Sequence, residues 1–392
     1  MNILHISPYY PALDTNHAGG VCMGKEIETL RKWNQVYVLT FVASEFDRKL
    51  KREREGDHRY QSVTINQWTR LFHVMAEPWM PAYFAARSSL RFAWKLIWAV
   101  KKYKIDAVYG EYASMGQYLW IKRLYPHLRF SIVEHDMTAQ SYERKLKDSK
   151  GWRKVYIRHQ LRLILKKEGE YCGKADLVFA FNRKDQRLIE ERYGRKDCQV
   201  LNTYLGIEDE LIEGNLEWEN KEYGNICFLG QMGRPENHQA AMRLISIAGK
   251  VKKRIPELQV YIIGNQPLEE LKNLENDYIH VTGFVDDVDE YLKRAALAVF
   301  PLRQGAGIKV KVLRSLAVGT PVVTSGVGAE GIDEDGQVIM LAETDKEFGE
   351  RIEEYFSDPG AMEGKARKSR EYIKKYFGWK VSERVLKEVY GN

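Results

Sequence analysis

FPLRQGAGIKVKVLRSLAVGTPVVTSGVGAEG, residues Phe300–Gly331, sets a glycine-rich turn and a helical stretch between two apolar runs. Ala296-Leu297-Ala298-Val299-Phe300 is a short, wholly apolar segment of the kind that forms a parallel strand buried on both faces. At its carboxyl end Gly305-Ala306-Gly307 strips the chain of side chains where backbone amides approach an oxyanion. Ile308 to Val318 then shows helical periodicity, with Val310, Leu313 and Ala317 on one face. A helix amino terminus offers N–H groups to a diphosphate. Lys309 and Lys311 put positive charge in that first turn, against the helix dipole, which makes sense if an anion sits there. Pro321-Val322-Val323-Thr324 reads as the next strand, ending at Gly326 and Gly328. By spacing alone the stretch predicts a site for a phosphate-bearing ligand. Strand, glycine turn and helix also occur in that order in dinucleotide-binding folds.

The same alternation extends in both directions. Ile3–Ser7, Val36–Thr40, Ala107–Tyr109, Phe130–Glu134, Leu177–Phe181 and Gln199–Leu201 are apolar or β-branched runs separated by helical stretches. An acidic segment from Ile207 to Tyr223 breaks the pattern and reads as a linker. The alternation restarts at Ile226–Gly230 and continues through Val260–Gly264, Ile279–Thr282, Leu297–Pro301, Val322–Thr324 and Val338–Leu341. The fold class this predicts is α/β, with two doubly wound parallel-sheet domains in succession. A chain of 392 residues is long enough for two cores of about 200 residues each.

Composition narrows the classes further. Cys22, Cys172, Cys198 and Cys227 lack paired spacing and nearby histidine clusters, so they predict reduced, buried thiols rather than disulfides or structural zinc. The chain opens on a strand, Ile3–Ile6, rather than on a charged and then apolar signal, and no apolar run reaches the ~18 residues of a spanning helix. The expected location is cytoplasmic. Net charge is +7, unevenly spread: residues 1–200 hold 36 Lys and Arg against 22 Asp and Glu, the remainder 25 against 32. Between Trp68 and Lys104 aromatic and basic residues interleave. Arg91, Lys95, Trp98 and Lys102 share one helical stripe, and Lys154, Arg158, Arg162 and Lys166 another. Such faces suit an anionic membrane surface, so peripheral attachment to the inner face of the cell membrane is the accompanying expectation. No recognisable nucleic-acid-binding module appears, and none is expected as partner.

Ala317-Val318-Gly319-Thr320-Pro321-Val322-Val323-Thr324-Ser325, followed by Gly328-Ala329-Glu330-Gly331, resembles the nucleotide-sugar site of the GT-B fold glycosyltransferases, family 4-like (glycosyl transferases group 1). The resemblance spans most of the chain. Ile3-Leu4-His5-Ile6-Ser7-Pro8 with Gly19-Gly20-Val21 is similar to the family's first strand and phosphate-approaching glycine loop. Leu201-Asn202-Thr203-Tyr204-Leu205-Gly206-Ile207-Glu208 resembles its exit from the amino domain. Phe228-Leu229-Gly230 and Gly283-Phe284-Val285-Asp286 resemble the opening strand and base-contacting turn of its carboxyl domain. The resemblance implies two Rossmann-like domains facing a central cleft: 1–206 for acceptor binding, a linker at 207–223, 224–372 for the nucleotide sugar, and a terminal helix, 373–392, crossing back.

The resemblance also implies the chemistry, a retaining transfer of a hexosyl group from a nucleotide-diphosphate sugar to a glycan or lipid-linked acceptor. No metal or other cofactor is required, and the setting implied is bacterial surface polysaccharide biosynthesis. His135, just past the strand Phe130–Glu134, would contact the transferred sugar, with Glu134 or Asp136 orienting it or Asp136 capping the next helix. Gly305, Ala306, Gly307 and Ile308 would hold the diphosphate, Lys309, Lys311 and Arg234 its charge, Phe284 and Val285 the base, and Gly230 would open the donor site. Gly19 and Gly20 would face acceptor and phosphate. Two departures stand out. Gln231 occupies the position of a common arginine, in a Gly230-x-Met232-x-x-x-x-Asn237 pattern. Ala306 and Arg314 replace two glutamates, the second of which accepts hydrogen bonds from ribose, something an arginine cannot do. Arg314 either changes how the nucleotide is held, reaching a phosphate, or marks a chain that has lost donor binding. Those departures favour one rival, a non-catalytic pseudoglycosyltransferase that partners another transferase; a second rival is a GT-B sugar-nucleotide epimerase, which would be expected to keep carboxylates in its cleft.

Overall fold

A computed structural model of the chain describes residues 1–15, 18–204, 216, 218–305 and 308–391. The chain folds as two compact units, Met1–Gly206 with Trp379–Asn392, and Ile207–Gly378.

The first unit is built on seven strands, β1 (Asn2–Ser7), β2 (Gln35–Val42), β3 (Tyr60–Thr64), β4 (Ala107–Glu111), β5 (Arg129–Glu134), β6 (Leu177–Ala180) and β7 (Gln199–Val200). They lie in the order β3-β2-β1-β4-β5-β6-β7, every pairing parallel. Both faces are covered by helices, which is why β1, β4 and β5 are almost wholly buried rather than alternating. β3 carries only one fully buried residue and escapes notice in the sequence because Tyr60-Gln61-Ser62-Val63-Thr64 lacks an apolar run. Order reverses between β1 and β4, the switch point at which open α/β sheets place ligands beyond the strands' carboxyl ends.

The second unit has six strands, β8 (Glu222–Leu229), β9 (Gln259–Ile263), β10 (Ile279–Gly283), β11 (Ala295–Phe300), β12 (Val322–Thr324) and β13 (Met340–Leu341). Their order is β10-β9-β8-β11-β12-β13, again parallel throughout, with the switch between β8 and β11. The α/β reading with two doubly wound parallel sheets is therefore borne out.

The terminal helical stretch breaks in two, Pro359–Tyr376 and Trp379–Tyr390. The first piece buries Met362, Ala366 and Ile373 within the second unit, so the chain passes to the first unit at Trp379 rather than at 373. There Trp379 donates its indole N–H to Thr29 Oγ1 at 2.9 Å, and Asn202 donates its backbone N–H to Ser382 Oγ at 2.6 Å. Leu386 and Tyr390 are wholly buried. All four cysteines are buried and free.

Candidate functional site

In the second unit the switch point gathers the expected cations. The helix Val310–Val318 starts at Lys309, its N-cap, so Lys309 and Lys311 both stand in the amino-terminal turn, and no side chain caps it. Gly319 ends the helix in the left-handed conformation at φ 85°. Gly305 has φ 143°, and a Cβ there would meet Lys309 Cε at 3.0 Å, so this glycine leaves room for the lysine to fold over the turn. Lys309 Nζ lies 3.9 Å from Glu330 Oε2. Ile308 precedes the helix, while Ala306 and Gly307, two of the expected diphosphate contacts, lie outside the described residues.

Lys311 is the better-defined cation. Its ammonium donates to Asn237 Oδ1 at 2.7 Å and sits over the rings of Phe228 and Phe300, 4.7 and 5.6 Å from their centroids. Burial, reinforced by the charges of Lys309 and Arg234 and opposed by Glu236, lowers its pKa to about 7. Asn237 is held in turn by donating Nδ2–H to Gln231 O at 3.0 Å. A Cβ on Gly230 would strike Asn237 Cγ at 2.8 Å, so the glycine after β8 is required for this packing. Gln231 itself donates to Gln266 Oε1 at 3.1 Å. Arg234 is the N-cap of the helix Pro235–Val251, pairs with Glu236 at 3.0 Å and is largely exposed.

Phe284, 73% exposed, follows the carboxyl end of β10, with Val285 beside it half-buried. An aromatic face left in solvent at this edge offers a stacking surface. Arg314 does not reach toward the glycine turn: its guanidinium donates two parallel hydrogen bonds to Asp289, at 2.6 and 2.9 Å, and the pairing raises its pKa. The expectation that Arg314 would extend to a phosphate is thus corrected, because the helix starting at Val288 presents Asp289 to it.

In the first unit His135 is buried just past β5, its ring 3.9 Å from that of Tyr112 and nearly parallel to it, with Phe181 4.3 Å away on a tilt. Glu134 does not orient it. Glu134 points to the other side of the sheet, where Cys172 Sγ donates to it at 3.9 Å, because neighbouring residues of an extended chain project oppositely. Asp136 does not cap the following helix either. Glu168 does so from the helix Gly151–Lys174, accepting from the N–H groups of Thr138 at 2.9 Å and Ala139 at 3.4 Å.

The partner of His135 is Glu111, which no local pattern singles out. His135 Nε2 donates to Glu111 Oε2 at 2.7 Å, and His5 Nε2 donates to Glu111 Oε1 at 2.8 Å. Register explains the meeting. His5 pairs with Tyr109 and Glu111 with Val133, so His5, Tyr109, Glu111, Val133 and His135 share one face of adjacent strands β1, β4 and β5. Burial opposes the Glu111 charge, but the hydrogen bonds from His135 and His5 outweigh it and hold its pKa at about 2. Beside it Glu26, from the helix Ala18–Leu30, accepts from Tyr109 Oη at 3.0 Å. Burial, then the charge of Glu111, pushes the Glu26 carboxyl well above its ordinary range. Ligand-type atoms of His5, Glu26 and Glu111 lie within 4.8 Å of one another, a spacing that would admit a metal ion. Both Glu111 oxygens are nevertheless committed to imidazoles and one Glu26 oxygen to Tyr109, which leaves Glu26 Oε2 and His5 Nδ1 as buried atoms without a partner.

Gly19 and Gly20 lie within the first turn of the helix Ala18–Leu30 rather than in a loop ahead of it. A Cβ on Gly20 would sit 2.5 Å from Thr15 Cγ2 and 3.2 Å from Tyr10 O, so its service is to let the β1 exit pack on the helix.

The surface of this unit departs from the expected stripe. Lys95 turns inward to donate to Ser62 O at 3.0 Å, and Trp98 packs on the core. The exposed apolar groups are instead Trp68, Phe72, Met75, Trp79, Leu90 and Trp94, and the helix Gln67–Ala76 has no fully buried residue. Lys154, Arg158, Arg162 and Lys166 do face solvent, with Trp152 near the start of their helix. No helix among the described residues is long and apolar enough to cross a membrane.

Two successive parallel Rossmann-like sheets of this order, with a terminal helix that belongs to the first unit, constitute the GT-B fold of glycosyltransferases. Residues 224–358 match the family described as Glycosyl transferases group 1, which bears out the resemblance noted in the sequence. Among solved structures, HepE of Anabaena in complex with UDP is similar at a TM-score of 0.68 and 14% identity, covering 99% of each chain. Sucrose-phosphate synthase of Thermosynechococcus elongatus is similar at 0.64 and 14% identity, over 100% of this chain and 98% of its own. A glycosyltransferase of Rickettsia africae is similar at 0.63 and 13%, over 99% and 97%. No curated protein matches the chain.

Proposed function

We propose that the protein is a retaining glycosyltransferase that moves a hexosyl group from a nucleotide-diphosphate sugar to a glycan or lipid-linked acceptor. The observation that carries this reading is Lys311: an ammonium at a helix amino terminus, packed on two phenyl rings, whose hydrogen-bond partner is a neutral amide. Among the described residues no carboxylate pairs with it. A desolvated cation of that kind is costly unless an anion arrives, and a diphosphate at the helix start supplies one. Lys309 and the Gly305 turn complete the cradle, Arg234 adds exposed charge, and Phe284 with Val285 offers the base a stacking face.

In this reading the bond between the anomeric carbon and the diphosphate oxygen breaks while the acceptor hydroxyl oxygen bonds to the same face of the sugar. The hydroxyl proton leaves with the diphosphate. Charge growing on the leaving oxygens is met by the two lysines and the turn amides, a stabilisation greater in the transition state than in the ground state, and no step so written draws on a metal. His135 meets a hydroxyl of the transferred sugar. The solved relatives include complexes with UDP and UDP-glucose, which supports a nucleoside diphosphate as ligand.

Calorimetry with UDP, GDP, ADP and CMP tests the donor site. Saturable binding of one diphosphate is expected, weakened about tenfold or more in Lys309→Ala, the loss of a charge-assisted hydrogen bond. Absence of binding by all four sinks the reading. Saturable binding without transfer to any acceptor, alongside co-purification with another transferase, favours the non-catalytic rival, to which Gln231 and the Arg314–Asp289 pair lend support.

The exposed aromatics and cations of the first unit suit peripheral attachment to an anionic membrane at the cytoplasmic face, close to a lipid-linked acceptor in surface polysaccharide assembly. Sedimentation with vesicles rich in phosphatidylglycerol is expected, lost at a salt concentration of about 0.5 M and reduced in a Trp68→Ala/Phe72→Ala double variant. Equal sedimentation with neutral vesicles, or none with either, removes this part.

A further inference from the structure

We infer that Glu111, itself seated by His5, is a positioning residue that fixes the tautomer of His135 and so makes its outer ring nitrogen, Nδ1, the atom that accepts a hydrogen bond from substrate. The inference rests on the reading of His135 as the sugar contact, and it adds how that contact is prepared.

The argument starts from hydrogen inventory. A carboxylate accepts and cannot donate. Glu111 spends one oxygen on each imidazole, Oε1 on His5 at 2.8 Å and Oε2 on His135 at 2.7 Å, and all three side chains are buried. Each Nε2 must therefore carry its hydrogen. For His5 the remaining nitrogen, Nδ1, is buried without a partner, which disfavours a second hydrogen there, since it would be an unmet donor. For His135 the remaining nitrogen makes no hydrogen bond among the described residues, and the residue keeps 8% of its surface open. With Nε2–H committed inward to Glu111, neutral His135 presents a lone pair outward.

The surroundings hold the ring as well as its proton. Tyr112 adopts φ 66°, a left-handed backbone that a bulky side chain rarely takes, and this lays its ring flat against His135 at 3.9 Å. Phe181 packs against the same ring at 4.3 Å. His5 serves a different end. It occupies the second oxygen of Glu111, so the carboxylate cannot swing away, and its own ring is stacked on Tyr109 at 5.7 Å. Glu26 lies beside Glu111, its carboxyl pushed upward by burial, with Tyr109 anchoring it. A sugar hydroxyl both donates and accepts, so an imidazole whose proton is fixed elsewhere can meet it in one way only, by taking the hydroxyl hydrogen on Nδ1.

Histidine-labelled protein decides the matter by nitrogen-15 correlation spectroscopy, with resonances assigned by their loss in His5→Asn and His135→Asn. In the wild type at pH 7 both His5 and His135 are expected as Nε2–H tautomers. A hydrogen on Nδ1 of His135, in a neutral or a cationic ring, overturns the inference without any variant being needed. Glu111→Gln keeps the shape but offers one donor and one acceptor, so at least one of the two rings is expected to switch to Nδ1–H. Turnover should then fall by about 10- to 100-fold, with nucleotide affinity changed by no more than about twofold. Turnover lost with both tautomers unchanged assigns Glu111 a packing role and overturns the inference as well. Because the spectra need no substrate, a wild type that carries the predicted tautomers yet transfers no sugar would count against the proposed function and leave the tautomer result standing.

Discussion

Lys311→Met is expected to bind the nucleoside diphosphate about 10- to 100-fold more weakly than the wild type while unfolding at a temperature several degrees higher. Both effects come from one cause. Burial, with the charges of Lys309 and Arg234, brings the Lys311 pKa down to about 7 from its ordinary 10.5. A base whose folded pKa is depressed makes stability rise with pH between the folded and unfolded values, here from about 7 to 10.5. Below pH 7 the folded protein carries the ammonium at full cost, so the methionine variant gains most there. A diphosphate reverses the balance by favouring the charged lysine. Binding above pH 7 should therefore take up a proton, and affinity should fall with rising pH, by up to about tenfold per unit. Calorimetry in buffers of different ionisation enthalpy reads the proton directly. Equal proton uptake by wild type and Lys311→Met would mean that another group meets the phosphate.

The second large effect concerns the buried carboxyls beneath His135, which are expected to move stability in opposite directions. Glu111→Ala strands two buried imidazoles that were paired to a carboxylate, and removing one partner from such an arrangement costs about 3–5 kcal/mol. Because its folded pKa is depressed to about 2, the stabilisation from Glu111 is present above the unfolded value of 4.5 and is lost as pH falls toward 2. Glu26 is the converse. Its folded pKa is raised, so its contribution is complete below the unfolded value and is lost as pH rises through the folded one. Glu26→Gln retains an oxygen for the Tyr109 hydroxyl and turns an N–H toward Glu111, and it should raise the melting temperature more at pH 8 than at pH 5. Glu134, raised by burial and by the charge of Glu168, should respond to Glu134→Gln with the same sign. Chemical denaturation across pH 2–9 measures all three. A Glu26→Gln gain that is constant with pH would show that the carboxyl is ionised in the folded protein.

These effects reside in two places that differ in how far the chain announces them. The second unit's cradle is largely local: Gly305, Lys309 and Lys311 lie close together in the chain, and a strand, turn and helix order them by short-range rules. What a local pattern does not carry is commitment. Arg314 is available by spacing alone, but Asp289, 25 positions earlier, claims its guanidinium. Lys309 and Lys311 are equivalent by spacing alone, and the rings of Phe228 and Phe300 set the second apart. Gly19 and Gly20 have the composition of a ligand loop and stand in the first turn of a helix, and at Gly20 the structure adds a demand of packing against Thr15 and Tyr10.

The sequence by itself determined the strand count to within one, the parallel doubly wound class and the break near residue 207. Apolar runs, helical periodicity and glycine placement are properties of neighbouring residues, and each is legible without knowing the partner. Tertiary structure alone decided that His5, Glu111 and His135 form one unit, across separations of 106 and 24 residues. That meeting depends on β1, β4 and β5 being neighbours and on a register that aligns Glu111 with Val133, and a shift of one residue would turn Glu111 to the opposite face. No local pattern encodes a register between strands so far apart in the chain, because the energy that selects it is spread over every helix packed against the sheet.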